Sequence, residues 1–126
     1  MGRFDTPIYG FCLKIAFTDG ADKSRTEKTK VFHSSMLSGN REAEAWIRSS
    51  VEDYIFTSRT FRMRGHQLVP LLTNGILDAA KENKVNERLY KEASEQEPMP
   101  GKFFEKEVKS RSGEGLLVSA FVMAYL

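Results

Sequence analysis

The sequence predicts an α+β domain: one two-layer unit over residues 1–126, built on an antiparallel or mixed sheet of about five strands, with two to three helices packed mainly on one face. Three stretches carry that expectation. Residues 8–17 (IYGFCLKIAF) place Tyr9, Phe11, Leu13, Ile15 and Phe17 at every second position, the signature of a strand with one apolar face. Residues 41–56 repeat Ala43, Trp46, Ile47, Val51, Tyr54 and Ile55 at helical spacing. Residues 116–126 (LLVSAFVMAYL) form the longest nearly unbroken apolar run, rich in the residue types that suit a pleated surface.

The last run organises the others. As a strand it sends Leu116, Val118, Ala120, Val122, Ala124 and Leu126 to one face and Leu117, Ser119, Phe121, Met123 and Tyr125 to the opposite one. Both rows are apolar, the pattern of a central strand covered on both sides by a helix, a return of the sheet or a partner subunit. The alanines leave room for a helix. The larger row, Phe121, Met123 and Tyr125, is then the candidate oligomer face, suited to a homodimer. Eleven residues fall well short of the roughly 20 that cross a bilayer, so no membrane partner is expected.

The remaining elements follow in chain order. Residues 18–29 read as a polar loop opened by the Asp19-Gly20 turn signal, and residues 28–36 as a weaker second strand, giving a hairpin with a long basic tip. Ser38 or Asn40 is suited to cap the helix that follows, with Glu42 and Glu44 near its positive end. Residues 57–64 (TSRTFRMR) return to alternation and predict a third strand, with Arg59, Phe61 and Met63 opposite Thr60, Arg62 and Arg64. Leu68, Leu72, Ile76 and Ala80 predict a helix over about 67–83, with Pro70 in its first turn, and Asn74-Gly75 leaves open whether it is one helix or is kinked or split there. A mostly solvated helix over 84–96 and a polar edge strand over 103–110 complete the order, the latter turning through Gly113 and Gly115 into the final strand.

At 126 residues, with 40% hydrophobic and 29% charged side chains, the chain has the composition of one globular domain. Its net charge of +2 permits an acidic partner without demanding one. The charge is sided: residues 1–65 hold eleven Lys/Arg against eight Asp/Glu, and residues 66–101 hold four against six. Cys12 is the one cysteine, which excludes an internal disulfide and a thiolate metal cluster. With no secretory pattern at the start, a reduced cytoplasmic setting is expected.

No phosphate-binding glycine loop, zinc spacing, calcium loop or nucleophile elbow is present. Neither a cofactor nor a metal is expected, and no residue is assigned a catalytic role. An enzyme would have to assemble a dispersed site. One version uses Cys12 with His33 or His66; another is a metal-dependent nuclease using Glu105, Glu107 and Lys109. Buried cysteines more often act as small hydrophobes, and alternating charges on an edge strand more often serve solubility.

The basic residues point further. Lys23, Arg25, Lys28 and Lys30 crowd the expected hairpin tip, and Arg59, Arg62 and Arg64 the expected third strand. If the hairpin folds beside that strand, they form one positive surface for phosphates, with Tyr9, Phe32 and Phe61 as stacking candidates. The competing account has the arginines neutralised by Glu52, Asp53 or the acidic middle segment. The function expected from sequence is therefore a small non-catalytic binding protein for nucleic acid or a nucleoprotein complex. A protein-interaction module or inhibitor, dimeric through the C-terminal sheet, is the alternative.

Overall fold

The computed structural model of the chain describes residues 10–89 and 101–125. They form strands β1 (Gly10–Asp19) and β2 (Ser24–Phe32), helix α1 (Arg41–Thr57), a 3-10 turn (Arg62–Arg64), helix α2 (Gly65–Glu82), and strands β3 (Gly101–Lys109) and β4 (Gly115–Tyr125). A further helical stretch covers 85–89. The four strands make one antiparallel sheet in the order β2-β1-β4-β3, with the helices on one face. The class is as expected, with four strands among the described residues rather than about five.

The two apolar rows read from the sequence meet at the centre of the sheet. Leu13 pairs with Val122, Ile15 with Ala120 and Phe17 with Val118, all turned toward the helices and all buried. They pack against Ala43, Ile47, Val51 and Ile55 of α1 and Leu68, Leu72, Ile76 and Ala80 of α2. Ala120 and Ala124 are buried on that side, as close helix approach requires. The second row of β4 has a different fate: Leu117 is 36% and Met123 41% exposed on the open face. The side chain of Tyr125, the third residue of the expected oligomer face, lies outside the described residues.

Three sequence expectations are corrected, and one open point is decided. Residues 57–64 form no strand. Their one buried side chain is Phe61, and the Ser58 hydroxyl accepts hydrogen bonds from the amides of Thr60 at 3.2 Å and Phe61 at 3.1 Å, turning the chain from one helix to the next. The basic hairpin tip is a turn over residues 20–23, because β2 starts at Ser24. Polar residues persist along β2 because it is an edge strand, where lysines discourage pairing with another sheet. α2 begins at Gly65, so Pro70 lies beyond its first turn and forgoes the amide that would bond the His66 carbonyl. The open point is the segment around Gly75, which is one unbroken helix. A β-bulge between Lys102 and Phe104 sets Phe103 and Phe104 both on the core, and a Cβ at Gly75 would lie 3.0 Å from the Phe104 ring. That helical glycine makes room for an aromatic ring. The part of the expected third helix beyond residue 89 lies outside the described residues.

Helix α1 starts as expected: the Asn40 side chain accepts from the Ala43 amide at 3.1 Å, with Glu42 and Glu44 in the first turn. Replacing Asn40 by Ala removes that acceptor and should lower stability by about 1 kcal/mol in urea denaturation. An unchanged denaturation midpoint would show that the cap contributes nothing.

Candidate functional site

Three connections meet at one end of the sheet: the β1–β2 turn, the β3–β4 turn and the link between α1 and α2. The Gly20 amide donates to the Gly115 carbonyl at 2.8 Å, joining the two turns. The Arg64 guanidinium donates to the Lys109 carbonyl, joining the helix link to β3.

Strand alternation divides the cations of the hairpin. Lys23 sits in the turn with φ 59°, in the left-handed region. Arg25 lies on the open face, bonded through Nε to Glu27 at 2.9 Å and through a terminal nitrogen to Thr18 at 3.0 Å. Lys28 faces the helices and pairs with Asp53 of α1 at 2.7 Å. Lys30 shares that face, its Nζ 5.7 Å from the centre of the Phe32 ring. Of these four, only Lys28 is brought to the helix link, where it and Arg59 line one cavity.

The arginines of the link remain together. Arg59 and Arg62 are exposed and Arg64 is half-buried; Arg111, from the β3–β4 turn, lines a cavity with Arg64. Among the described residues none of these four makes an ion pair, and Asp53 is taken by Lys28. The acid of the β3–β4 turn is also engaged. Glu114 accepts from the hydroxyls of Ser110 at 2.6 Å and Ser112 at 2.5 Å, which hold its carboxyl below the usual range.

Two cavities flank the link. One, of about 300 Å³, lies between the β1–β2 turn and the end of α1, and its lining includes Asp19, Asp22, Lys28, Tyr54 and Arg59. The other, of about 320 Å³, is lined by Met63, Arg64, His66, Gln67 and Arg111. Sequence reasoning missed Asp19, Tyr54 and Arg111. Asp19 had a legible signal: it continues the inward row Phe11, Leu13, Ile15 and Phe17 by one more step of two, and is only 4% exposed. Tyr54 belonged to the apolar stripe of α1, and its ring does stack on Phe17 at 4.2 Å. Burial, then the charges of Asp19 and Asp22, push its phenol up to about 12. Arg111 carries no local pattern and is placed only by the fold.

The other candidates separate. Cys12 lies on the open sheet face, whereas His66 begins α2 in the opposite layer with its ring 5.7 Å from that of Phe56. His33 is exposed after β2. Glu105 pairs with Lys102 at 3.1 Å and Glu107 with Lys109 at 3.8 Å, and among the described residues no three His, Cys, Asp or Glu side chains gather to hold a metal. Among the same residues no helix is long and apolar enough to cross a membrane. The chain matches no family model, and no curated protein or solved structure matches it.

Tyr54 offers a direct probe of this end. Its phenol is neutral in both folded and unfolded chains below its ordinary value of 10.0, so it leaves stability unaffected there. Between 10.0 and about 12 the unfolded chain ionises first, and stability falls as pH rises. Subtracting the ultraviolet titration of Tyr54→Phe from that of the parent protein should isolate a late phenol ionisation. Asp19→Asn should move it to lower pH; a phenol titrating normally would contradict this placement.

Proposed function

We propose that this protein is a non-catalytic nucleic-acid-binding protein, acting on nucleic acid alone or in a nucleoprotein complex, and that it contacts phosphates through the arginine-bearing end of the domain. The observation that carries the reading is the concentration of Arg59, Arg62, Arg64 and Arg111 there without an ion pair among the described residues. Guanidinium groups hold phosphate oxygens in a fixed fork, and anchoring raises their value by lowering the entropy lost on binding. Arg64 is anchored by the Lys109 carbonyl and by Gln67 Oε1 at 3.3 Å. Arg59 and Arg62 flank Phe61, whose burial fixes the link.

Anisotropy of labelled single- and double-stranded oligonucleotides over a range of salt tests this. Binding should weaken steeply with salt, and the combined variant Arg59→Ala, Arg62→Ala, Arg111→Ala should reduce the log–log slope by about two to three, near one per lost phosphate contact. These three side chains are exposed, so the fold should be retained. No binding at low salt, or an unchanged slope in the variant, would refute the reading.

The open sheet face favours a second reading, a protein-interaction module or inhibitor that pairs through this surface, with its own copy as the simplest partner. Val31, Leu117 and Met123 are exposed at 38%, 36% and 41%, and Phe121 lies half-buried between them under the Lys14 ammonium, 4.8 Å from the ring centre. Charges of both signs rim them, including Lys102, Glu105, Glu107 and Lys109. Self-association through this face predicts a concentration-dependent dimer in sedimentation that Met123→Glu dissociates. A parent protein that stays monomeric up to millimolar concentration would remove the self-association reading.

A further inference from the structure

The cavity beside Arg59 combines groups that a phosphate alone does not explain. Asp19 is 4% exposed, yet among the described residues its carboxylate accepts one hydrogen bond, from the Ala21 amide at 2.8 Å, and meets no cation. Each carboxylate oxygen can accept more than one hydrogen bond, so Asp19 keeps acceptor capacity toward the cavity that it lines. Lys28, the lysine of the same cavity, is neutralised by Asp53 at 2.7 Å. Asp22 adds a second carboxylate in the β1–β2 turn, and Ser24, Thr26 and Thr60 add hydroxyls. A ligand that brings a cluster of N–H donors for the acidic wall and an anion for Arg59 is complementary to this lining. The space, about 300 Å³, is at the lower end of ordinary small-molecule sites.

We propose that this cavity takes an unpaired guanine nucleotide, its base edge on Asp19 and its phosphate toward Arg59. Guanine is the base that presents two adjacent donors, the ring N1–H and the exocyclic amine, in the parallel arrangement a carboxylate accepts. Cytosine and adenine place an acceptor nitrogen beside their amine, and uracil and thymine flank their ring N–H with two carbonyls, so each sets an acceptor against the carboxylate. Tyr54 stays protonated through the neutral range and supplies a donor at the same wall for the guanine carbonyl. The inference rests on the phosphate-binding reading and names the base that it selects. A nucleotide within a strand and a free guanine nucleotide share this chemistry.

The test compares oligothymidylates carrying one central G, inosine, A or C, together with free GMP, AMP, CMP and UMP, all by titration against the parent protein, Asp19→Asn and Tyr54→Phe. Asparagine retains an oxygen for the Ala21 amide, and Tyr54→Phe removes only a hydroxyl, so one variant reports even if the other folds poorly. The expected result is about tenfold tighter binding of the G-containing strand than of the A and C strands. Inosine, which lacks the exocyclic amine, should be intermediate, and both variants should lose the preference while keeping the salt slope. Preference for GMP without strand binding would support the pocket with a free nucleotide as its ligand, and would overturn the nucleic-acid reading alone. Equal binding of all strands with a steep salt slope, and no selection among the mononucleotides, would overturn the guanine site and leave phosphate contact standing. No binding of any strand or mononucleotide would overturn both.

Discussion

The pairing of β1 with β4 is the constraint on which the remaining structure depends. It runs from Gly10 opposite Tyr125 to Asp19 opposite Leu116 and brings the two strongest apolar rows side by side beneath the helices. A slip by one residue would turn every one of those side chains to the open face, so the register is fixed by burial itself. The same register decides where the domain ends. Asp19 falls opposite the first buried leucine of β4, and the Gly20–Gly115 hydrogen bond then holds the two turns together under the arginine-bearing link.

The electrostatics of that end follow from which acids are occupied. Glu27 lies 2.9 Å from Arg25 and 3.8 Å from Lys14, Asp53 is held by Lys28, and Glu114 by two serine hydroxyls. Exposed pairs of this kind contribute only about 0–1 kcal/mol each to stability. Their larger effect is selective: they consume carboxylates elsewhere and leave the guanidinium groups of the link to face water. In a chain with a net charge of only +2, that end therefore sets unpaired guanidinium groups beside the unpaired carboxylates of Asp19 and Asp22.

Much of the fold was legible because burial imposes period. The rows of β1 and β4, the stripe of α1 and its Asn40 cap all express local rules, and the structure keeps them. The link between the helices misled because eight residues around a single buried Phe61 mimic alternation by chance. The first half of the edge strand reads as loop because β2, exposed on nearly its whole length, has no apolar row to display. The acidic cavity was harder still. Asp19, Tyr54 and Arg59 are 35 and 5 residues apart along the chain, and only the meeting of a strand end with a helix end brings them together. Arg25 falls outside the site because alternation turns it to the open face, and Lys30, although it shares the face of Lys28, because it lies two residues farther along β2 from the helix link.

The central position of β4 also bears on how the chain acquires its structure. Each residue of β1 finds its β4 partner about a hundred positions away: Phe17 meets Val118, and Gly10 meets Tyr125. Helices and hairpins can form early from near neighbours, but the sheet has no completed middle until the last strand arrives. A topology dominated by such distant contacts folds slowly, because loop closure costs entropy before burial compensates it. During that interval Phe11, Leu13, Ile15 and Phe17 have only β2 beside them, and the side of β1 that β4 will occupy is an unpaired apolar edge. Synthesis from the N-terminus prolongs that exposure, because β4 is made after every element it pairs with or packs on.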